Sequence, residues 1–229
     1  MTGNDEIFDV AEEKDGLGHG PLPPHRLVRD FLPQEMAEAL LNWAIENEAR
    51  FEPTKVGNGE AERQDSQLRV SVSIRRFGDL KQELRRRFLE IAPSLISNLR
   101  LNPLEIVNSE LELVAHRDGA FYGRHIDTRT GACKGDTDFR FLSAVYYIHQ
   151  RPKPFSGGAL RLHRFGAAGG DGDFLDIEPE HNLLAAFPSW AAHEVRPISC
   201  PSGEFAHSRF AVNIWLRAPL PKTATNDPD

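Results

Sequence analysis

The sequence predicts a mainly β fold of the α+β class, a β-sandwich or jelly roll with N-terminal helices packed on one of its sheets. Two segments with helical periodicity precede Pro103, and about eight segments with strand periodicity follow it, separated by Gly, Asp and Pro turns. The 229 residues, 40% of them hydrophobic, can build a core without a metal or a disulfide. Helices followed by strands at near-even spacing predict a layer of helices against a double sheet.

Both helices have an apolar stripe. The first is predicted from Pro33 to about Asn47, with Pro33 in the first helical position. The second is predicted to begin at a capping Asp79, and Pro93 is expected to kink or restart it. Between the helices, alternation over residues 68–75 predicts a half-buried strand. The strands predicted after Pro103 are 110–115, 122–127, 141–149, 159–163, 174–177, 183–187, 193–198 and 208–217.

The distribution of polar residues predicts a single domain between two tails. Residues 1–24 are expected to form a flexible N-terminal tail, and residues 221–229 a C-terminal one. Within the domain, residues 25–103 would form a helical support and residues 104–217 the β-rich core, with the domain ending near residue 220. Three polar loops are candidates for lids over a site: 55–67, 128–139 and 199–207.

Charge and cysteine content narrow the classes of function. With 27 Lys and Arg against 34 Asp and Glu, the net charge is −7, which suits nucleic-acid binding poorly. Two cysteines, Cys133 and Cys200, exclude a disulfide framework and a cysteine-rich zinc site, and they fit a reducing compartment. No apolar run approaches the roughly 20 residues that cross a bilayer. We therefore expect a cytoplasmic protein that binds neither nucleic acid nor membrane.

Two His-x-Asp triplets could bind a metal ion, because residues i and i+2 of a strand project from the same face. The first, His116-Arg117-Asp118, is followed by Gly119, a turn signal that should take the aspartate off the strand. The second, His125-Ile126-Asp127, follows Phe121 and Tyr122 in a plausible strand. Context therefore favours the second triplet as the metal-binding one.

A third ligand and an anion-binding group are predicted from later strands. His193 begins a strand after the apolar run 183–187, and two histidines with one carboxylate are the ligand set of non-haem Fe(II) oxygenases. In the last strand, Arg209 shares a face with Ala211, Asn213 and Trp215. An arginine in such a position fits a pocket wall that holds a carboxylate in bidentate fashion.

Residues 111–217 resemble the catalytic core of the prolyl 4-hydroxylase-like branch of the Fe(II)- and 2-oxoglutarate-dependent dioxygenases. The resemblance depends on five elements that occur in the family's order. These elements are 122–127 (YGRHID), 140–147 (RFLSAVYY), 157–160 (GGAL), 193–195 (HEV), and Arg209 with Trp215. The resemblance implies a double-stranded β-helix, the jelly roll of this family, as the core.

The resemblance also implies roles for eight residues. It makes His125, Asp127 and His193 the iron ligands and catalytic residues. Arg209 would bind the C5 carboxylate of 2-oxoglutarate, with Tyr147 as a hydroxyl donor to it and His116 close to the same co-substrate. Tyr122 and Trp215 would line the pocket. One departure from the family pattern is the 16-residue separation of His193 and Arg209, which predicts an extended hairpin loop around Cys200.

The resemblance implies Fe(II), 2-oxoglutarate and O₂ as cofactor and co-substrates. The expected reaction is hydroxylation of an unactivated C–H bond, in a prolyl or other residue of a peptide or protein, with release of succinate and CO₂. Two alternatives stay open at this point: a hydroxylase of a free amino acid or small molecule, and a non-catalytic metal-binding jelly-roll module. A closed pocket would favour the small molecule, an open groove the peptide, and a contiguous basic groove would favour nucleic acid.

Overall fold

A computed structural model describes residues 20–55, 65–128, 137–166 and 173–220. It contains two helices, α1 (Gln34–Glu46) and α2 (Gly78–Asn98). The strands of the described residues are β1 (Arg26–Val28), β2 (Glu52–Pro53), β3 (Arg69–Val70), β4 (Val72–Ile74), β5 (Asn108–His116), β6 (Phe121–His125), β7 (Asp138–Ile148), β8 (Ser156–Gly157), β9 (Leu160–His163), β10 (Phe174–Ile177), β11 (Leu183–Pro188), β12 (His193–Val195), β13 (Ile198–Ser199) and β14 (Arg209–Pro219). The predicted mainly β, α+β class is confirmed.

The strands form two main antiparallel sheets. The major sheet has seven strands in the order β1-β11-β7-β14-β5-β4-β2, and the minor sheet has five in the order β10-β9-β12-β6-β3. A two-stranded ribbon pairs β13 with β8. The long central strands β5, β7 and β14 are buried along most of their length because both faces of the major sheet are covered.

The two faces of the major sheet bury different cores. On the outer face the apolar side chains of both helices pack against alternate residues of β14, beginning at Phe210 and ending at Ala218. On the inner face Ala211 and Tyr147 pack against Leu160 and other residues of the minor sheet. The period-2 alternation of the last strand therefore places its apolar face toward the helices. The other face, which begins with Arg209, points between the sheets.

Three local expectations need correction. The strand predicted over 68–75 is two strands in different sheets: β3 pairs with β6, while β4 pairs with β5. The chain passes from one sheet to the other at Ser71, which alternation alone does not reveal. Asp79 is not the N-cap of α2; Phe77 is, and Asp79 lies in the first turn, where its carboxylate still complements the helix dipole. Pro93 lies within a continuous helix, because the burial of Phe88 and other apolar residues compensates for the disfavoured proline.

The chain is packed from Gly20 onward, five residues before the predicted start of folded structure. The carbonyl oxygens of Gly20 and Pro21 accept hydrogen bonds from the Arg164 side chain and the Phe165 backbone. The rest of the N-terminal tail, the C-terminal tail 221–229, most of the loops 55–67 and 128–139, and Cys133 lie outside the described residues. In the described part of the chain, no helix is both long and apolar enough to cross a membrane.

The third candidate lid, residues 199–207, is described in full. Its Cys200 is buried, and the backbone N–H of that residue donates a 2.7 Å hydrogen bond to the Asp118 carboxylate. A short 3₁₀ turn follows over Phe205–His207, with Phe205 packed into the main core. Asp118 leaves its strand, as the Gly119 turn predicts, and it holds this loop instead of facing a metal.

Candidate active site

Three side chains from neighbouring strands form a cluster that could hold a metal ion. His125 is the last residue of β6, and it lies opposite His193, the first residue of β12. Asp127 follows β6 by two residues, and its backbone N–H donates to the Ser189 carbonyl. One potential ligand atom from each residue lies within 4.8 Å of the others. The structure thus brings together the three predicted iron ligands, although His193 lies 66 residues after Asp127 in the sequence.

Backbone carbonyls determine which histidine nitrogen is offered to the metal. The Nδ1 of His125 lies 2.8 Å from the Gly123 carbonyl oxygen, and the Nδ1 of His193 lies 2.8 Å from that of Ala191. Each Nδ1 therefore carries the proton, which leaves the Nε2 lone pair free for coordination. The two Nε2 atoms lie 3.7 and 3.6 Å from the Asp127 carboxylate. Two neutral imidazoles and a carboxylate fit Fe(II), with positions left for other ligands.

Hydrogen bonds also orient the carboxylate ligand. The Ser143 hydroxyl donates to Asp127 Oδ2 at 2.7 Å and lies 2.8 Å from the Ser189 hydroxyl. Burial alone would raise the pKa of Asp127, but His193, His125, Arg140 and the Ser143 hydrogen bond together outweigh burial and lower it. Burial, together with the neighbouring His193, lowers the pKa of His125 to about 3. The cluster is therefore held in the ionisation state that binds a metal cation.

A buried arginine without an anionic partner lies in the same cavity. Arg209 is 1% exposed, and its Nε and Nη2 atoms have no hydrogen-bond partner among the described residues. Its guanidinium lies 4.8 Å from the centre of the Tyr147 ring, and the buried Tyr147 hydroxyl also has no partner there. Buried cations and hydroxyls normally have partners. This group of donors fits a carboxylate ligand, as required for 2-oxoglutarate.

His116 completes this group. Its Nδ1 lies 3.2 Å from Arg209 Nη1, so the imidazole accepts a hydrogen bond there and is neutral. Burial and the Arg209 charge hold the pKa of His116 well below its ordinary value of 6.5. His116 thus holds the guanidinium by a hydrogen bond without adding a second positive charge.

The neutral His116 predicts an acid-sensitive fold. Below about pH 6.5 the unfolded chain binds a proton at this residue and the folded chain does not, so stability falls as the pH falls. Below that pH, the wild type should lose up to roughly 1.4 kcal/mol of unfolding free energy per pH unit through His116, and we expect His116→Gln to remove this loss. The measurement is the free energy of unfolding by urea at several pH values. A surface control is His207→Gln; an unchanged slope in His116→Gln, or an equal change in the control, would contradict the assignment.

Because Gly158 has no side chain, it leaves room for the Arg209 side chain. A Cβ at this position would lie 2.7 Å from Arg209 Cδ and 2.8 Å from Ile198 Cγ1. We expect Gly158→Ala to displace the guanidinium and raise the KM for 2-oxoglutarate about tenfold or more. Gly203→Ala is the matched control, since Gly203 has a similar positive φ of 67° but open space around its Cα. Equal KM values in the two variants would show that backbone strain, not Arg209, is responsible for any effect.

Aromatic and cationic side chains stack along the wall of the cavity. The Tyr122 ring stacks on the His125 imidazole at 3.6 Å, and the Arg69 guanidinium lies 4.9 Å from the centre of the same ring. Arg69 in turn contacts the buried Glu112 at 3.3 Å. On the opposite wall Arg140 lies 3.9 Å from the centre of the Trp215 ring. These stacks hold the predicted ligand His125 and the two aromatic side chains in place.

The cavity has a volume of about 440 Å³, within the range of ligand sites. Seven of the eight predicted site residues line it: His116, Tyr122, His125, Asp127, His193, Arg209 and Trp215. The eighth, Tyr147, is not among the lining residues, and the roles of all eight toward metal and co-substrate stay predictions. Sequence reasoning missed Arg69, Glu112 and the role of Ser143. Ser143 and Arg140 lie in a family-like element that was recognised, but their contacts depend on strand register.

Comparisons with known proteins agree with this site. Residues 111–217 match the model of the 2OG-Fe(II) oxygenase superfamily. An uncharacterized PKHD-type hydroxylase of Synechocystis sp. is 34% identical over 194 residues, which are 83% of this chain and 62% of that protein. The present chain thus spans less than two thirds of that relative's length.

Two solved structures share the fold. A Pseudomonas putida prolyl-4-hydroxylase is 23% identical, with a TM-score of 0.60 over 86% of this chain and 93% of that one. A Trichoplax adhaerens prolyl hydroxylase, solved with a hypoxia-inducible-factor peptide, is 20% identical, with a TM-score of 0.59 over 85% and 83%. The predicted jelly-roll fold and the family resemblance are confirmed, and the family implies Fe(II), 2-oxoglutarate and O₂.

Proposed function

We propose that this chain, whose residues 111–217 match the model of the 2OG-Fe(II) oxygenase superfamily, hydroxylates a prolyl or other residue of a peptide or protein, with release of succinate and CO₂. One observation carries the proposal: a His-Asp-His cluster and a buried, unpaired Arg209 line the same cavity. The first supplies ligands for iron, and the second supplies a site for the distal carboxylate of a dicarboxylic co-substrate.

The chain's own residues would bind and orient the reactants. His125, Asp127 and His193 would hold Fe(II), which supplies the redox chemistry with O₂ and 2-oxoglutarate when bound. Ser143 keeps the Asp127 carboxylate oriented, and the Gly123 and Ala191 carbonyls keep both histidines in the coordinating tautomer. Arg209 would fix one end of the co-substrate, because a buried guanidinium binds a carboxylate in a defined geometry.

The shape of the cavity supports an extended substrate over a small enclosed one. Lys55 and Arg75 line the cavity and are exposed to solvent, and both residues also line a second cavity on the surface. Within the described residues, the site therefore continues onto the surface on the side of Lys55 and Arg75. The Synechocystis relative is a PKHD-type hydroxylase by name, and the two structural neighbours are prolyl hydroxylases.

The proposal is tested in two steps. Adding Fe(II) and 2-oxoglutarate to the purified protein without O₂ should produce their visible charge-transfer band. With O₂, proline-containing peptides should gain one oxygen by mass spectrometry while succinate accumulates in equal amount. If succinate forms but only free amino acids or small molecules gain oxygen, the substrate assignment is wrong. If no 2-oxoglutarate is consumed, the chain is a non-catalytic metal-binding module.

A further inference from the structure

The cavity that holds the metal ligands continues into a groove. The surface cavity beside it has a volume of about 570 Å³ and shares Lys55, Arg75 and Glu112 with the first. Its far end is formed by Arg50, Glu52 and Arg76. Among the described residues, β2 is the outermost strand of the major sheet at this side. We call these two cavities together the entry groove.

The outer part of the entry groove carries a surplus of positive charge. Among the described residues, four cationic side chains line it, Arg50, Lys55, Arg75 and Arg76, against the carboxylates of Glu52 and Glu112. Lys55 and Arg75 already have partners, so Arg50 and Arg76 account for most of the surplus. Glu112 is already engaged, because its buried carboxylate contacts Arg69, Arg75 and the Ser73 hydroxyl. The Arg76 guanidinium makes no ion pair within the described residues, and the Arg75 side chain is 65% exposed. This local surplus contrasts with the net charge of −7 of the chain.

The groove suits an acidic polypeptide better than a nucleic acid. Nucleobases bind to open aromatic faces, but His125 stacks on the Tyr122 ring and the Arg69 guanidinium also lies over it. Arg140 covers one face of Trp215. An extended chain, in contrast, can lie along an outer strand and place carboxylates against exposed guanidinium groups. The charge and the covered rings therefore favour aspartate- or glutamate-rich segments.

We propose that the entry groove binds an acidic segment of the substrate polypeptide, next to the residue that enters the metal-containing cavity. This inference rests on the proposed function, and it adds the substrate class. Arg75, which lines both cavities, and Arg76, which lines the outer one, would make the main contacts, because both are exposed. The interaction is electrostatic and accessible to water, so it should weaken as salt is added.

The test measures binding alone. A fluorescein-labelled peptide of alternating Asp and Pro residues is titrated with the full chain and followed by anisotropy, beside matched peptides with Asn or Lys for Asp. We expect the Asp peptide to bind about tenfold more tightly than the Asn peptide at low salt. We expect the R75Q/R76Q variant to remove that difference. The R29Q/K153Q variant, which neutralises two cations outside both cavities, is the matched control and should bind like the wild type.

Each outcome decides the proposal. Equal affinity for the Asp and Asn peptides, or the same loss in R29Q/K153Q as in R75Q/R76Q, would overturn it. Tighter binding of a labelled oligothymidine than of the Asp peptide would overturn it in favour of nucleic acid. Because binding needs no turnover, the two proposals fail separately: selective Asp-peptide binding without 2-oxoglutarate consumption removes only the hydroxylase activity, and the reverse result removes only the acidic substrate.

Discussion

Replacing any one of His125, Asp127 and His193 with Ala should abolish binding of the redox-inert substitute Mn(II) and all consumption of 2-oxoglutarate. Loss of an outer-shell partner typically lowers metal affinity about 10- to 100-fold, and loss of a direct ligand should exceed that. In this cluster each residue supplies one of three converging atoms, so the remaining two cannot rebuild the site. Isothermal titration with Mn(II), done without O₂, measures the effect directly.

Two further variants make this result specific. Ser143→Ala keeps the three ligands but removes the 2.7 Å hydrogen bond to Asp127, so we expect weaker Mn(II) binding by about 10- to 100-fold. His207→Gln removes a partly exposed histidine outside the cluster and should leave Mn(II) affinity unchanged. Wild-type affinity in a ligand variant would show that the ion binds elsewhere, and a loss in His207→Gln would indicate a global effect.

The ligand set could be predicted from sequence because strand geometry is short-range. The His-x-Asp spacing keeps His125 and Asp127 close together, although β6 ends at His125 and Asp127 lies just beyond the strand. Asp118 also lies beyond the end of its strand, but its carboxylate binds the Cys200 backbone instead. Alternation in the last strand likewise places Arg209 and Trp215 on one face. These rules depend only on neighbours along the chain, so they hold before the fold is known.

The parts that sequence could not predict depend on pairing between distant strands. Arg69 reaches Tyr122 because β3 pairs with β6, although the predicted strand over 68–75 had no reason to divide between two sheets. Glu112 binds Arg69 only because β4 and β5 are neighbours in the other sheet. Alternation assigns a side chain to a face, but it does not state which strand lies opposite. The entry groove is built from such cross-strand contacts, so it could not be predicted from the sequence.

Arg209→Met is expected to raise the stability of the protein and to abolish its binding of 2-oxoglutarate. A buried guanidinium without an anion costs free energy, so an apolar side chain of similar length should stabilise the protein by about 1–4 kcal/mol when 2-oxoglutarate is absent. For a chain of this size that is a rise of several degrees in Tm. Loss of the hydrogen bond to His116 would offset about 1 kcal/mol of the gain.

The same substitution should remove the response to co-substrate. At a concentration of about 100 times its Kd, 2-oxoglutarate stabilises the wild type by roughly 2.7 kcal/mol, and Arg209→Met should show no such shift. Arg209→Lys keeps the charge but loses the planar fork, so it should raise the KM for 2-oxoglutarate. Thermal unfolding with and without 2-oxoglutarate checks both variants. A less stable Arg209→Met protein that still responds to 2-oxoglutarate would make Arg209 an ordinary core residue and place the carboxylate site elsewhere.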